Sequence, residues 1–249
     1  MNNYETWIDE FKGKRKANEV DRFAKISDRQ DTSDIPAATW NLLLGNASHQ
    51  NWKDIILAKG ITEIGIYPML IHELQPKTII ELGAFNGGSA VWLADHLELF
   101  GIEGRVYSVD INLSLLDEKA KSDSRIHFWQ GDCNDLSSVL PPDMLSELPH
   151  PWLLIDDAHV NVPGTMTYFH RHGLQSGDYV IIEDTNLLAF GYCDDTWDDK
   201  DELLRAARKL DDLRGWLMNH EEEYLIDTYY QDFYGYNVSK NWNSILKRV

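Results

Sequence analysis

Thr78-Ile79-Ile80-Glu81-Leu82-Gly83-Ala84-Phe85-Asn86-Gly87-Gly88-Ser89 decides the reading of this 249-residue chain. A short apolar run ends in a glycine-rich turn, and an apolar helical segment from Gly88 to Phe100 follows. Four more such runs lie downstream: Arg105–Asp110, Arg125–Trp129, Trp152–Asp156 and Tyr179–Glu183. Short apolar strands alternating with helical stretches imply βαβ units and a mostly parallel sheet buried on both faces. The expected class is therefore α/β, with helices on both faces of the sheet.

Upstream of the turn, a helix is expected over Tyr67–Leu74, closed by Gln75-Pro76-Lys77. Trp40 to Trp52 reads as a loop. Residues 1–50 form an N-terminal helical extension, in which Tyr4, Trp7, Ile8 and Phe11 recur at helical spacing and are expected to pack on the body. The main domain takes 51–249, and the alternating, aromatic stretch Tyr224–Val249 supplies one or two final strands at the sheet edge.

Composition works mainly by exclusion. The net charge is −18, and the only short basic cluster is Lys12-Gly13-Lys14-Arg15-Lys16. Nucleic acid and anionic membrane are poor partners for such a chain. No apolar run approaches the ~20 residues that span a bilayer. Two cysteines, Cys133 and Cys193, make no disulfide framework, and a reducing cytoplasm is the simpler setting.

Open α/β sheets bind ligands beyond the C-terminal ends of their strands. The turn has the spacing Gly-x-x-x-Gly-Gly, not the Gly-x-Gly-x-x-Gly that cradles a pyrophosphate. A nucleoside without phosphates, such as S-adenosylmethionine, fits better, and Glu81 repels phosphates while attracting an amino group. The expected cofactor contacts are Glu81, Gly83, Ala84, Asn86, Gly87 and Ser89. Asp110 closes the second strand, where an acid accepts both ribose hydroxyls. Asp132 and Cys133 follow the third, within reach of an adenine amine. Alone, any of these acids reads equally well as a turn residue or helix cap.

The fourth strand ends in Asp156-Asp157-Ala158-His159 and the fifth in Glu183-Asp184-Thr185-Asn186. Acids converging at one sheet edge call for a counter-charge. Oxygen ligands select hard cations, Mg²⁺ first, then Mn²⁺ or Ca²⁺. Such a cation lowers the pKa of an acceptor hydroxyl, and His159 is the candidate base. Helix capping and structural hydrogen bonding are the plain alternatives for these residues.

Tyr67-Pro68, Ile80–Ala90, Ile182-Glu183-Asp184-Thr185-Asn186 and Asn241–Val249 resemble the cephalosporin-hydroxylase family of methyltransferases, which includes sugar O-methyltransferases of antibiotic pathways. The resemblance runs from about Trp40 to the C-terminus. It implies a Rossmann-like class I methyltransferase fold, S-adenosylmethionine, Mg²⁺ and a homo-oligomer. It implies that one Asp after the fourth strand and the Glu-Asp pair after the fifth hold the metal, so Glu183 and Asp184 match directly. The first ligand is Asp156 or Asp157, with Asp157 favoured by its spacing to Glu183 and Asp156 left on the cofactor side. Tyr67 joins the cofactor contacts on the same ground, and Asp157 and His159 form the catalytic pair.

The acceptor is expected to be a small hydroxylated natural product of secondary metabolism, a sugar or glycoside. A lid over 190–220 carries Phe190, Tyr192 and Trp197 beside the acid run Asp194–Glu202. The aromatic run Thr228–Tyr236 is either substrate contact or an edge strand in an interface. Two other readings compete: a non-catalytic partner that binds S-adenosylmethionine, and a nicotinamide oxidoreductase, which the glycine spacing disfavours.

Overall fold

Val, Ile and Leu dominate the central strands, and in Thr78–Leu82, Trp152–Asp156 and Tyr179–Ile182 every residue is buried, as expected for strands covered on both faces. The computed structural model describes residues 3–17, 21–186 and 200–249. Its strands are β1 (Phe23–Ala24), β2 (Asn51–Trp52), β3 (Ile55–Ile56), β4 (Thr78–Leu82), β5 (Arg105–Asp110), β6 (Ile126–Gln130), β7 (Trp152–Asp156), β8 (Tyr179–Ile182), β9 (Tyr224–Asp227) and β10 (Ile245–Arg248). The helices are α1 (Asn3–Ala17), α2 (Ala37–Leu44), α3 (Ile61–Leu74), α4 (Gly88–Leu99), α5 (Glu118–Lys121), α6 (Leu136–Val139), α7 (Pro142–Ser146), α8 (Val162–His172), α9 (Lys200–Leu217) and α10 (Thr228–Gln231).

The main sheet has eight strands in the order β1-β9-β10-β8-β7-β4-β5-β6. β4 to β8 are parallel, and β10 runs antiparallel to both β8 and β9. Chain order reverses between β4 and β7, so the ligand crevice of an open α/β sheet falls where those two strands end. The pleat sorts the core into two layers. Ile79, Leu153, Ile155 and Ile181 pack with α3 and α4, while Ile80, Leu154, Val180 and Ile182 pack with α8 and α9.

Several expectations need correction. β10 lies inside the sheet rather than at its edge, and the edge is closed by β1, a strand drawn from the N-terminal extension and paired with β9. Trp40 sits in helix α2 and is buried, not in a loop. Helix α3 starts six residues before Tyr67 and contains Pro68. Tyr4, Trp7, Ile8 and Phe11 are between 53% and 67% exposed, so the face of α1 does not pack on the body. The run after β9 is a short helix and turns, not a strand. Of the lid, Phe190, Tyr192 and Trp197 lie outside the described residues, and Leu210, Leu213 and Leu217 of α9 belong to the core.

Candidate active site

The glycine turn is fixed by the strands around it. The N–H groups of Gly83 and Ala84 both donate to the Val109 carbonyl of β5, at 2.8 and 3.1 Å. Gly83 has φ +99°, and a Cβ there would stand 2.8 Å from the Asp157 carbonyl oxygen, so only glycine fits. Gly88 is pressed on the β2–β3 hairpin, where a Cβ would fall 1.9 Å from the Ile56 oxygen. Asn86 serves the same hairpin: its side-chain amide pairs with Ile56 O and N at 3.0 and 3.1 Å. Its side chain, with the amide oriented this way, clamps the hairpin backbone beside the turn. Ser89 is buried at the start of α4.

Asp110 closes β5 beside this turn, and its carboxylate accepts the N–H groups of Phe85 (2.8 Å) and Asn112 (2.9 Å). Asp132, in the exposed loop after β6, accepts from Asn134 N. Next to it, Cys133 is buried, and burial pushes its thiol up to about 12. A cavity of about 160 Å³ opens here, lined by Cys133, Asn134, Leu136, Asn161 and Thr165. Glu81 is fully buried on β4; one oxygen accepts from Ser108 Oγ at 2.5 Å, and the other has no hydrogen bond among the described residues. Burial raises its pKa against the pull of Lys59.

The acids divide by the pleat. Asp157 follows the parity of Leu153 and Ile155, and Glu183 that of Ile181, so both carboxylates fall on the α3 side. Asp156 has the parity of Leu154 and faces α8 and α9. Burial raises Asp156 to about 6, against the nearby Lys209. The two acids that the sequence left as alternatives thus sit on opposite faces, and Asp157 is the one that meets Glu183.

Between them stands a cation that the sequence reading missed. Lys59 Nζ donates to Asp157 Oδ2 at 2.8 Å and Glu183 Oε1 at 2.7 Å, and its side chain is 1% exposed. Lys240 Nζ is 2.8 Å from Asp184 Oδ1 and 3.5 Å from Glu183 Oε2. Lys209 Nζ donates to the Glu183 carbonyl at 3.1 Å. Burial alone pushes Asp157 up, but Lys59, Lys240 and Lys209 outweigh it and hold the carboxyl well below its usual range. For Glu183 burial wins, joined by the Asp157 charge, and its pKa is raised. Lys209 was detectable: it lies on the apolar stripe of α9, four residues before Leu213. Nothing in the spacing of Lys59 or Lys240 marks them.

Tyr67, expected among the cofactor contacts, reaches the acid cluster. Its buried hydroxyl donates to Glu183 Oε1 at 2.7 Å and accepts from Asn241 Nδ2 at 3.1 Å, so it braces the acid cluster rather than the glycine turn. Asn241 also accepts the Asp184 N–H at 2.9 Å. Asp184 has φ +61°, a conformation that costs a non-glycine residue of order 1–3 kcal/mol and is held by its surroundings. The C-terminal Asn241–Ser244 segment is buried against it. His159 Nε2 lies 3.7 Å from Asp184 Oδ2, at the same edge.

This arrangement has relatives. A family model described as rhamnosyl O-methyltransferase/CmcI matches residues 45–249. The rhamnosyl O-methyltransferase of Mycobacterium bovis is 28% identical over 132 residues, 52% of this chain and 54% of its own length. The chain thus spans about half the length of the curated relatives it matches. An apo structure of CmcI is 31% identical, covers 87% of this chain and 85% of its own, and superposes with a TM-score of 0.65. A structure of CmcI with Mg and S-adenosylmethionine is 30% identical, covers 92% and 91%, with a TM-score of 0.64. These matches bear out the family and the Rossmann-like methyltransferase fold expected from the sequence. The chain belongs to the rhamnosyl O-methyltransferase/CmcI family.

Proposed function

We propose that this chain is an S-adenosylmethionine-dependent O-methyltransferase that uses a divalent cation and acts on a hydroxyl of a small acceptor, a sugar or glycoside of secondary metabolism. The observation that carries this is the meeting of Asp157 and Glu183 on one face, directly beyond the glycine turn. The cofactor supplies an electrophilic methyl group on sulfur. Glu81, Gly83, Ala84, Gly87, Ser89 and Asp110 would hold it at the turn, with Asp132 and Cys133 beside the cavity for its base. Asp110 is placed for the ribose, and the unsatisfied oxygen of Glu81 suits the ammonium end.

The acids fit a hard cation. Asp157, Glu183 and Asp184 offer only oxygen, and Glu183 Oε2 has no hydrogen bond among the described residues. Lys59 and Lys240 already neutralise part of this charge, so a cation there shares the carboxylates with them. When bound it supplies Lewis-acid lowering of the acceptor hydroxyl pKa. His159 takes the hydroxyl proton at Nε2, beside Asp184. Tyr67 and Asn241 fix the Glu183 and Asp184 carboxylates, and the buried surroundings exclude water. Asp156, on the far face of β7, stays with the cofactor side.

The mycobacterial relatives are named for a rhamnosyl acceptor, which supports the sugar class. No helix among the described residues is long and apolar enough to cross a membrane. The exposed aromatic face of α1 suits the expected homo-oligomer. The test is transfer of labelled methyl from S-adenosylmethionine to a panel of rhamnosides and related glycosides, with EDTA and with Asp157→Asn. Metal-dependent methylation of a sugar hydroxyl is expected. Full turnover in chelator would remove the cation, and transfer to none of the panel would remove the sugar class.

A further inference from the structure

The C-terminal end of α8 meets the turn between α9 and β9 at three side chains that the methyl-transfer reading does not use. His170 and His220 have ring centroids 5.2 Å apart, and His170 Nε2 lies 3.7 Å from Glu223 Oε2. One candidate ligand atom from each of the three lies within 4.8 Å of the others. Eight residues of helix, about 12 Å, separate His170 from the start of α8 at the cofactor edge, so this cluster is distinct from the acids at Asp157.

Both rings are oriented before any ion arrives. His220 Nδ1 is 2.8 Å from the Trp216 carbonyl. A carbonyl only accepts, so Nδ1 carries the proton and Nε2 keeps its lone pair, the arrangement that metal-binding histidines adopt. The Trp216 indole stacks on the same ring at 3.7 Å and 6°, fixing its plane. His170 is held through Nδ1, 3.2 Å from the Tyr224 hydroxyl, and by an edge contact with Trp216. Burial lowers the His170 pKa.

We infer that His170, His220 and Glu223 form a binding site for a borderline transition-metal cation of the Zn²⁺ class. Two imidazoles and one carboxylate, with a fourth position open to water, are a zinc donor set, and two imidazoles disfavour Mg²⁺. Zinc bonds of about 2.0–2.1 Å place tetrahedral ligand atoms about 3.4 Å apart. The His170–Glu223 pair is already near that separation at 3.7 Å. Arg248 opposes the ion, its Nη2 standing 3.9 Å from Glu223 Oε2. That guanidinium is also tied to the carbonyls of His170 and Leu174 at the end of α8, so it remains beside the site and weakens it. The bound ion staples α8 to the turn that leads into β9.

The experiment is a titration of the chelator-stripped full chain with ZnCl₂ by calorimetry, in excess Mg²⁺ so that the acid cluster is occupied by its own cation. Melting temperature is followed in parallel. One equivalent of zinc with a rise in melting temperature is expected. Binding should weaken at least tenfold in both His220→Ala and Glu223→Gln. Glu223 is 44% exposed in its side chain and can be changed without disturbing the core. Cobalt in place of zinc should give the visible absorption of a four-coordinate site, lost in both variants. No uptake by the wild type, or uptake unchanged in both variants, would overturn the site.

Discussion

Replacing Lys59 with methionine keeps a long apolar stem and deletes the ammonium shared by Asp157 and Glu183. Two buried carboxylates are then left facing each other. Breaking a buried ion pair in this way costs about 3–5 kcal/mol. For a chain of this size, each kcal/mol moves the melting temperature by about 2–4 °C, so a fall of roughly 6–20 °C is expected. Glu183 can recover part of the loss by taking a proton, because burial already raises its pKa. The loss should therefore deepen as pH rises. Mg²⁺ should oppose it: at a hundred times its dissociation constant, a ligand adds about 2.7 kcal/mol to the native state. The assay is calorimetric melting of wild type and Lys59→Met in EDTA and in Mg²⁺. A variant that melts with the wild type in EDTA would refute the charge argument. A melting temperature of Lys59→Met that Mg²⁺ does not raise would refute the cation's place among these acids.

Asp156→Asn should stabilise the chain at pH 7. Its carboxyl stands at about 6 against a usual 3.8, so its native pKa is raised. The native state binds more protons than the unfolded one between those values, and stability is lost as pH climbs through them, by about 3 kcal/mol in all. The gain from Asn should vanish near pH 4, and a variant less stable at pH 7 would show that the native surroundings favour the ionised carboxylate rather than oppose it. Gly83→Ala should cost at least 1–3 kcal/mol from its backbone conformation and displace Asp157, read as lost melting temperature and lost cofactor binding; wild-type values for both would contradict the turn's role. His159→Gln should lower kcat while leaving adenosylhomocysteine affinity unchanged. An undiminished kcat would remove it as the base.

The parallel sheet was legible because its strands are unbroken apolar runs bounded by turns, and β5 and β7 match their expected bounds. β1, with two residues, carries no periodic signal, and its pairing with β9 is decided by tertiary packing. The pairing of Asp157 with Glu183 follows from strand parity once the strand ends are known. The lysines were hidden for a different reason. Lys59 and Lys240 come from segments outside the βαβ pattern, and a buried lysine looks like a surface one until its carboxylate partners are in place. The same holds for His170, His220 and Glu223, more than fifty residues apart at the extremes and joined only by the packing of α8 on α9.

The most direct test of the central claim, that the glycine turn with Asp110 is a methyl-donor site, is a calorimetric titration of adenosylhomocysteine into the wild type and Asp110→Ala, with NAD as the competing ligand. One equivalent should bind the wild type, Asp110→Ala should bind at least tenfold more weakly, a loss of about 1.4 kcal/mol or more, and NAD should give no saturable heat. Binding of NAD in preference to adenosylhomocysteine, or an Asp110→Ala variant that binds as the wild type does, would contradict it.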